Sequence, residues 1–305
     1  MTLSELLASV RHVEVRTNRL VNDTMVGAYL SHIKGRGMDF EELREYIPGD
    51  DVRDIDWNVT HRFGRPFVKR FREERELTAV LAVDISGSSR FGSVDRTKRE
   101  YATEVAATLA MSATKNGDKV ALLLFTEEVE LFVPPRKGRR HILRIVREML
   151  AHQPRHRGTN ISQALNFLNH VLHRRAMVFL LTDFLHSQIG SKSGITTAHD
   201  FIAELGQTNI RHDVVCLHLH DPRESKLPNA GLVTIEDAET GELLELDSQR
   251  QSVRDRFAST NAERLAELDL ALNRTGVDTL RLNLTEPYAP ALQRFFEIRR
   301  GRRRG

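Results

Sequence analysis

Five apolar runs of strand length constrain this chain more than any other feature: residues 77–84 (LTAVLAVD), 119–126 (KVALLLFT), 176–183 (AMVFLLTD), 212–219 (HDVVCLHL) and 277–284 (VDTLRLNL). Each is apolar almost throughout rather than alternating, the pattern of parallel strands covered on both faces. Helical patterns separate them. Residues 95–117 place Tyr101, Val105 and Leu109 on one stripe and end at Asn116-Gly117, while 138–153 and 159–174 carry apolar residues three and four apart. Strands alternating with helices define an α/β fold with a doubly wound, mostly parallel sheet. The run EVELFVPP (128–135) follows the second strand within a turn and ends in two prolines, so it is expected as an antiparallel edge strand.

Two regions lie outside this alternation. Residues 231–247 read as an inserted β-hairpin with its turn near Glu239-Thr240-Gly241, followed by a long charged helix over about 248–273. The first 76 residues are of mixed charge and arginine-rich. The expected organisation is an N-terminal extension (1–76) packed on the main domain, an α/β domain (77–298) and a basic tail (299–305). That tail supplies five arginines against a formal net charge of +3, so the rest of the chain is net negative. Blocks of like charge repel and stay unfolded, so the tail reads as a solvated end, and no nucleic-acid ligand is expected.

No run approaches the roughly 20 apolar residues of a membrane-spanning helix. The N-terminus is acidic at Glu5 and lacks a small-residue cleavage site, so it does not read as a secretory leader. The single cysteine, Cys216, has no internal partner for a disulfide. These features set the expectation of a cytoplasmic protein with no membrane association.

In an open parallel sheet, ligands bind beyond the carboxyl ends of the strands, where the chain order reverses. Three loops carry oxygen-bearing side chains to such ends: Asp84-Ile85-Ser86-Gly87-Ser88, Thr159 after Gly158, and Asp183 at the end of LLTD. Serines after a strand and a threonine at a helix start are also ordinary capping residues. Their coincidence at the correct strand ends favours a hard cation, Mg2+ or Mn2+, held by the hydroxyls of Ser86, Ser88 and Thr159. Asp84 and Asp183 would hold its waters. Neutral ligands leave the ion's charge uncompensated, which favours an acidic side chain from a protein partner as the last ligand.

Arg155 and Arg157 precede Thr159, and Arg139 and Arg140 open a helix whose dipole they oppose, so these four are candidate partner-binding residues. His218 and His220 share one side of a strand, but no third ligand at zinc spacing follows, and they read as packed or rim histidines. No Walker loop, G-x-S-x-G elbow or H-E-x-x-H motif is present, so the chain is not expected to be an enzyme.

The motif Asp84-x-Ser86-x-Ser88 with Thr159 and Asp183 resembles the metal-ion-dependent adhesion site (MIDAS) of von Willebrand factor A domains. The stretch REYIPGDDVRDIDWNVTHRFGRPFVKRFREERE (44–76) resembles the signature of a bacterial family, domain-of-unknown-function family 58. Genes of that family commonly lie beside those for MoxR-type AAA+ ATPases. The resemblance implies a metal-dependent interaction module, an adaptor or co-chaperone of such an ATPase. A metal-dependent phosphoesterase and a nucleic-acid-binding adaptor are the alternatives. Many family members carry N-terminal transmembrane helices and this sequence shows none, so membrane location does not carry over. Within the signature, Pro48-Gly49 suits a type II turn and Asp51 with Asp54 suits the start of a short helix. Val52, Ile55 and Val59 are expected to face inward, Trp57 to be a buried anchor, and RPFVKRF to join the sheet's margin.

Overall fold

The structure, a computed structural model, describes residues 3–20, 38–73, 77–93, 95–185 and 201–302. They fall into two compact units, one holding 3–20 with everything from Thr78 onward and the other holding 38–73. The N-terminal helix α1 (Leu3–Leu20) thus groups with the α/β body, to which Arg16 ties it by an ion pair with Glu104 at 2.8 Å.

The smaller unit is a two-stranded antiparallel sheet of β1 (Met38–Glu45) and β2 (Phe67–Glu73), linked through the helix α2 (Trp57–Phe63). The Pro48-Gly49 turn forms as read, with Gly49 at φ +113° and the Asp50 amide donating to the Ile47 carbonyl at 3.0 Å. Asp51 caps only one 3-10 turn, Val52–Asp54, by accepting from the Arg53 amide. Asp56 is the residue that opens α2, accepting from the amides of Asn58 and Val59 and pairing with Lys69 at 2.9 Å. Because Asp56 is the buried residue at that corner, its neighbour Trp57 faces outward, 65% exposed, and Val52 is exposed too. This corrects the expectation of a buried tryptophan. The expected pairing of β2 is corrected as well: β1 provides its partner, and the two form a sheet of their own.

The larger unit continues with β3 (Thr78–Asp84), α3 (Lys98–Lys115), β4 (Lys119–Phe125), β5 (Val129–Arg136), α4 (Arg139–Ala151), α5 (Ile161–Val171) and β6 (Met177–Thr182). Then follow α6 (Phe201–Arg211), β7 (Asp213–His220), a one-turn α7 (Pro222–Ser225), the hairpin strands β8 (Leu232–Glu236) and β9 (Leu243–Asp247), α8 (Gln251–Arg274), β10 (Asp278–Asn283) and α9 (Tyr288–Arg302). Six strands form one sheet in the order β10-β7-β6-β3-β4-β5, parallel except for β5, which runs antiparallel to β4. The chain starts at the centre with β3, winds out to β5, then crosses back to β6 on the other side of β3. That reversal opens a crevice beyond the carboxyl ends of β3 and β6.

Both faces are covered, as the continuous apolar strands require. On one face Val80, Leu123 and Leu180 pack with Ile161 and Leu165 of α5, Leu205 of α6 and Leu272 of α8. On the other, the rings of Tyr101 (α3) and Tyr288 (α9) meet edge-on at 5.6 Å, as do Phe179 (β6) and Phe296 (α9) at 6.2 Å. Helix α3 is fixed at its start by a reciprocal cap between Thr97 and Glu100, and its end is released by Gly117 at φ +81°.

The expected basic tail is in part helix. Arg299 lies within α9, is 6% exposed, and pairs with Asp213 at the start of β7 and Asp278 at the start of β10. Arg302 reaches Asp278 at 3.4 Å. Removing one partner of a buried ion pair strands the other. Arg299→Ala should therefore cost about 3 kcal/mol in urea unfolding, whereas a solvated arginine would cost nothing measurable.

Candidate metal centre

Strand β3 delivers Asp84 to the crevice and β6 delivers Asp183, one residue past its end. The two strands are hydrogen-bonded neighbours in register, Val83 beside Leu181. Each carboxylate is held on both oxygens. Asp84 Oδ1 accepts from the Ser86 amide at 2.9 Å and Oδ2 from the Thr182 hydroxyl at 2.8 Å. Asp183 Oδ1 accepts from the Leu185 amide at 2.9 Å and Oδ2 from the Lys98 ammonium. Between them, Ser86 Oγ and Ser88 Oγ are 3.1 Å apart, and Ser88 lies near enough to Asp183 to help hold that carboxyl low. Four buried polar groups, Asp84, Ser86, Ser88 and Asp183, thus lie together at the strand ends.

Local geometry weakens the capping explanation. Ser86 occupies the N-cap position of the 3-10 turn Gly87–Arg90 but makes no side-chain capping bond. Helix α5 is capped by Asn160, whose Oδ1 accepts from the Gln163 amide at 2.9 Å, so the Thr159 hydroxyl is not needed there. It donates instead to Glu239 Oε1 at 2.8 Å, in the turn of the β8–β9 hairpin. The loop before Thr159 hangs from Glu130, a carboxylate whose side chain is buried and which accepts from the amides of Arg155 and His156. The Gly87 amide donates to the Arg157 carbonyl at 2.8 Å, joining this loop to the Ser86–Ser88 loop. Asp84, Ser86, Ser88 and Asp183 therefore lie at adjacent strand ends, and the Thr159 loop is tied to the same serine loop through Arg157.

Burial and the Asp183 charge push the Asp84 carboxyl well above the usual range. Burial also pushes Asp183 upward, but the Lys98 ammonium outweighs it and holds that carboxyl low. Lys98 is itself buried. Desolvation disfavours its charge, and Asp183 with Glu224 of α7 restores it. Two carboxylates, Asp183 and Glu224, thus share one ammonium, with Arg264 of α8 also in electrostatic reach of both. Next to Asp183, Phe184 adopts φ +53°, a backbone strain sustained by stacking on Phe201 at 5.6 Å and by edge contact with His218.

The candidate arginines divide. Arg155 and Arg157 are exposed beside Thr159. Arg139 and Arg140 are exposed at the start of α4, just after Arg136, which pairs with Val120 at the amino end of β4. That is the opposite end of the sheet from Asp84, a strand length away, and Arg139 is paired with Glu14 of α1 at 2.6 Å. The structure does not bring them to the crevice. His218 is packed, as read, with its ring against Phe184. Sequence reading missed Lys98, Thr182, Glu130 and Glu239. Lys98 alone carried a signal: a lysine in the first turn of α3 opposes the helix dipole and calls for an acidic partner.

Among the described residues no group of three or more His, Cys, Asp or Glu side chains is arranged to hold a metal ion. No helix among them is long and apolar enough to cross a membrane. The sheet order, with its switch-point crevice lined by hydroxyls and carboxylates, is that of a doubly wound α/β domain carrying a hairpin insertion. The chain belongs to the family described as "Protein of unknown function DUF58", whose sequence model matches residues 42–267. It is 30% identical over 299 residues to uncharacterized protein Rv1480 of Mycobacterium tuberculosis, covering 97% of this chain and 90% of that one. Solved structures similar to it include an aerotolerance-related membrane protein from Bacteroides fragilis (14% identity, 74% of this chain and 99% of that chain, TM-score 0.48). Another is the SpRpn10 von Willebrand factor A domain (10% identity, 72% and 93%, TM-score 0.39).

Burial drives the His218 imidazole down from its ordinary 6.5 to about 3, so it is neutral in the folded state. A depressed histidine contributes stability that is full above pH 6.5 and lost as pH falls toward 3. Between those limits His218→Leu should flatten the pH dependence of stability by up to about 1.4 kcal/mol per pH unit, read by denaturant titration at each pH.

Proposed function

We propose that the crevice is a metal-dependent docking site and that the protein is an interaction module rather than an enzyme. The buried group of Asp84, Ser86, Ser88 and Asp183, with the Thr159 loop joined to the serine loop through Gly87 and Arg157, is the observation that carries this reading. Its donors are all oxygen and mostly hydroxyl, which suits Mg2+ or Mn2+. Only two of the five are carboxylates, so such a site need not gather three acidic or histidine side chains. Ser86, Ser88 and Thr159 would hold the ion, and Asp84 and Asp183 would position its surroundings. A bound divalent ion supplies a positive charge with a coordination position left for an outside carboxylate.

The chain's own residues support docking over turnover. Asp84 is fixed by the Ser86 amide and Thr182 and Asp183 by the Leu185 amide and Lys98, so both carboxylates are held as positioning groups, which favours docking over a phosphoesterase reading. A nucleic-acid reading is weakened because Arg299 and Arg302 are paired with Asp213 and Asp278 rather than free on a basic tail. Arg155 and Arg157 flank Thr159 and would steer an acidic surface toward it. The partner proposed from the family resemblance is a MoxR-type AAA+ ATPase that presents an acidic side chain to the ion.

Mg2+ should raise the melting temperature modestly through binding to the native state. The Ser86→Ala, Ser88→Ala double variant should stay folded and lose that rise. Binding to the neighbouring ATPase, titrated with Mg2+ and then with chelator, should weaken on chelation. Equal affinity in both conditions would leave the crevice without this role.

A further inference from the structure

The hairpin between β8 and β9 is built to present one carboxylate. Its turn is fixed by Asp237, whose Oδ1 accepts from the amides of Glu239 at 2.9 Å and Thr240 at 2.8 Å. The Asp237 carbonyl accepts from the Gly241 amide at 2.8 Å, and Gly241 closes the turn at φ +75°. At the base, buried Ser248 donates to the Gly231 carbonyl at 2.6 Å and accepts from the Ala230 amide at 3.0 Å. Between base and tip the arm is wet, with Leu232, Leu243 and Leu244 all exposed.

The tip is seated on the crevice. A Cβ added to Gly87, between the two serines, would stand 2.1 Å from the Ala238 carbonyl oxygen, so the hairpin backbone rests directly on that loop. One residue on, Glu239 Oε1 accepts from the Thr159 hydroxyl. Here a carboxylate from elsewhere in the chain already meets one of the three hydroxyls assigned to the ion.

We propose that the hairpin turn is an internal ligand of the crevice. Glu239 takes the position that a partner's acidic side chain would take, and a partner docks by displacing it. The proposal rests on the metal-docking reading above. With an ion bound, Glu239 would complete its surroundings, and the hairpin tip already rests over the serine loop. An incoming acidic peptide competes with a group already in place, so its apparent affinity is reduced by the fraction of molecules with the arm open.

The probe is Mn2+ alone, titrated into the full chain by electron paramagnetic resonance, with hydrogen exchange of the turn amides followed in parallel. Glu239→Gln keeps an oxygen for Thr159 and removes the charge. In the native protein Mn2+ should slow exchange across the turn. Glu239→Gln should abolish that slowing and bind Mn2+ about tenfold more weakly. The Ser86→Ala, Ser88→Ala variant should lose Mn2+ binding. If the serine variant loses Mn2+ while Glu239→Gln binds it with native affinity, the internal ligand is overturned and the docking site stands. A turn loosened equally with and without Mn2+, at native affinity, would mark Glu239 as merely structural and is the same refutation. If the native chain binds no Mn2+, or the serine variant binds it normally, the metal reading falls and the internal ligand with it.

Discussion

Two carboxylates buried at the ends of adjacent strands are the constraint around which this molecule is organised. Side by side in a low-dielectric crevice, Asp84 and Asp183 cannot both hold a full charge without compensation. The compensation comes from long range in sequence. Lys98 arrives from the first turn of α3, where it also pairs with Glu224 from the turn after β7, and Thr182 turns its hydroxyl to Asp84. Two strands and two helices, β3, β6, α3 and α7, are thereby tied to one point. The positive backbone angle of Phe184 fits the same picture, because the chain must turn sharply to set Asp183 down beside Lys98.

The strained, charge-dense end of the sheet contrasts with the other. There Arg299 joins Asp213 and Asp278, a neutralising cluster that links α9 to the amino ends of two strands. In open α/β sheets the carboxyl ends of the strands carry ligands. This chain crowds Asp84, Asp183 and Glu224 around a single lysine at that end and pairs Asp213 and Asp278 with arginines at the opposite one.

The fold was legible because continuous apolar runs leave little choice: all five parallel strands, the antiparallel edge and the hairpin lie where periodicity put them. Asp84, Ser86, Ser88, Thr159 and Asp183 were legible for a related reason. Strand ends are fixed by the apolar runs, and whatever follows them must line the crevice. Lys98 and Glu239 were not, because their partners are 85 and 80 residues away, separations that no local pattern encodes. Arg139 and Arg140 misled because the antiparallel β5 returns the chain to the amino end of the sheet, and the whole of α4 then separates them from Arg155 and Arg157. Trp57 misled because size suggested burial where the neighbouring Asp56 holds the inward position.

Cys216 lies in the middle of β7 with no exposed surface, and burial raises its thiol far out of the reactive range. It is the only cysteine in the chain. The folded protein therefore presents no native thiol to solvent, and oxidants or alkylating reagents find nothing to attack while the sheet is intact. A single cysteine introduced on the exposed arm of the hairpin would be the sole labelling site, a spectroscopic handle whose signal comes from that arm and nowhere else.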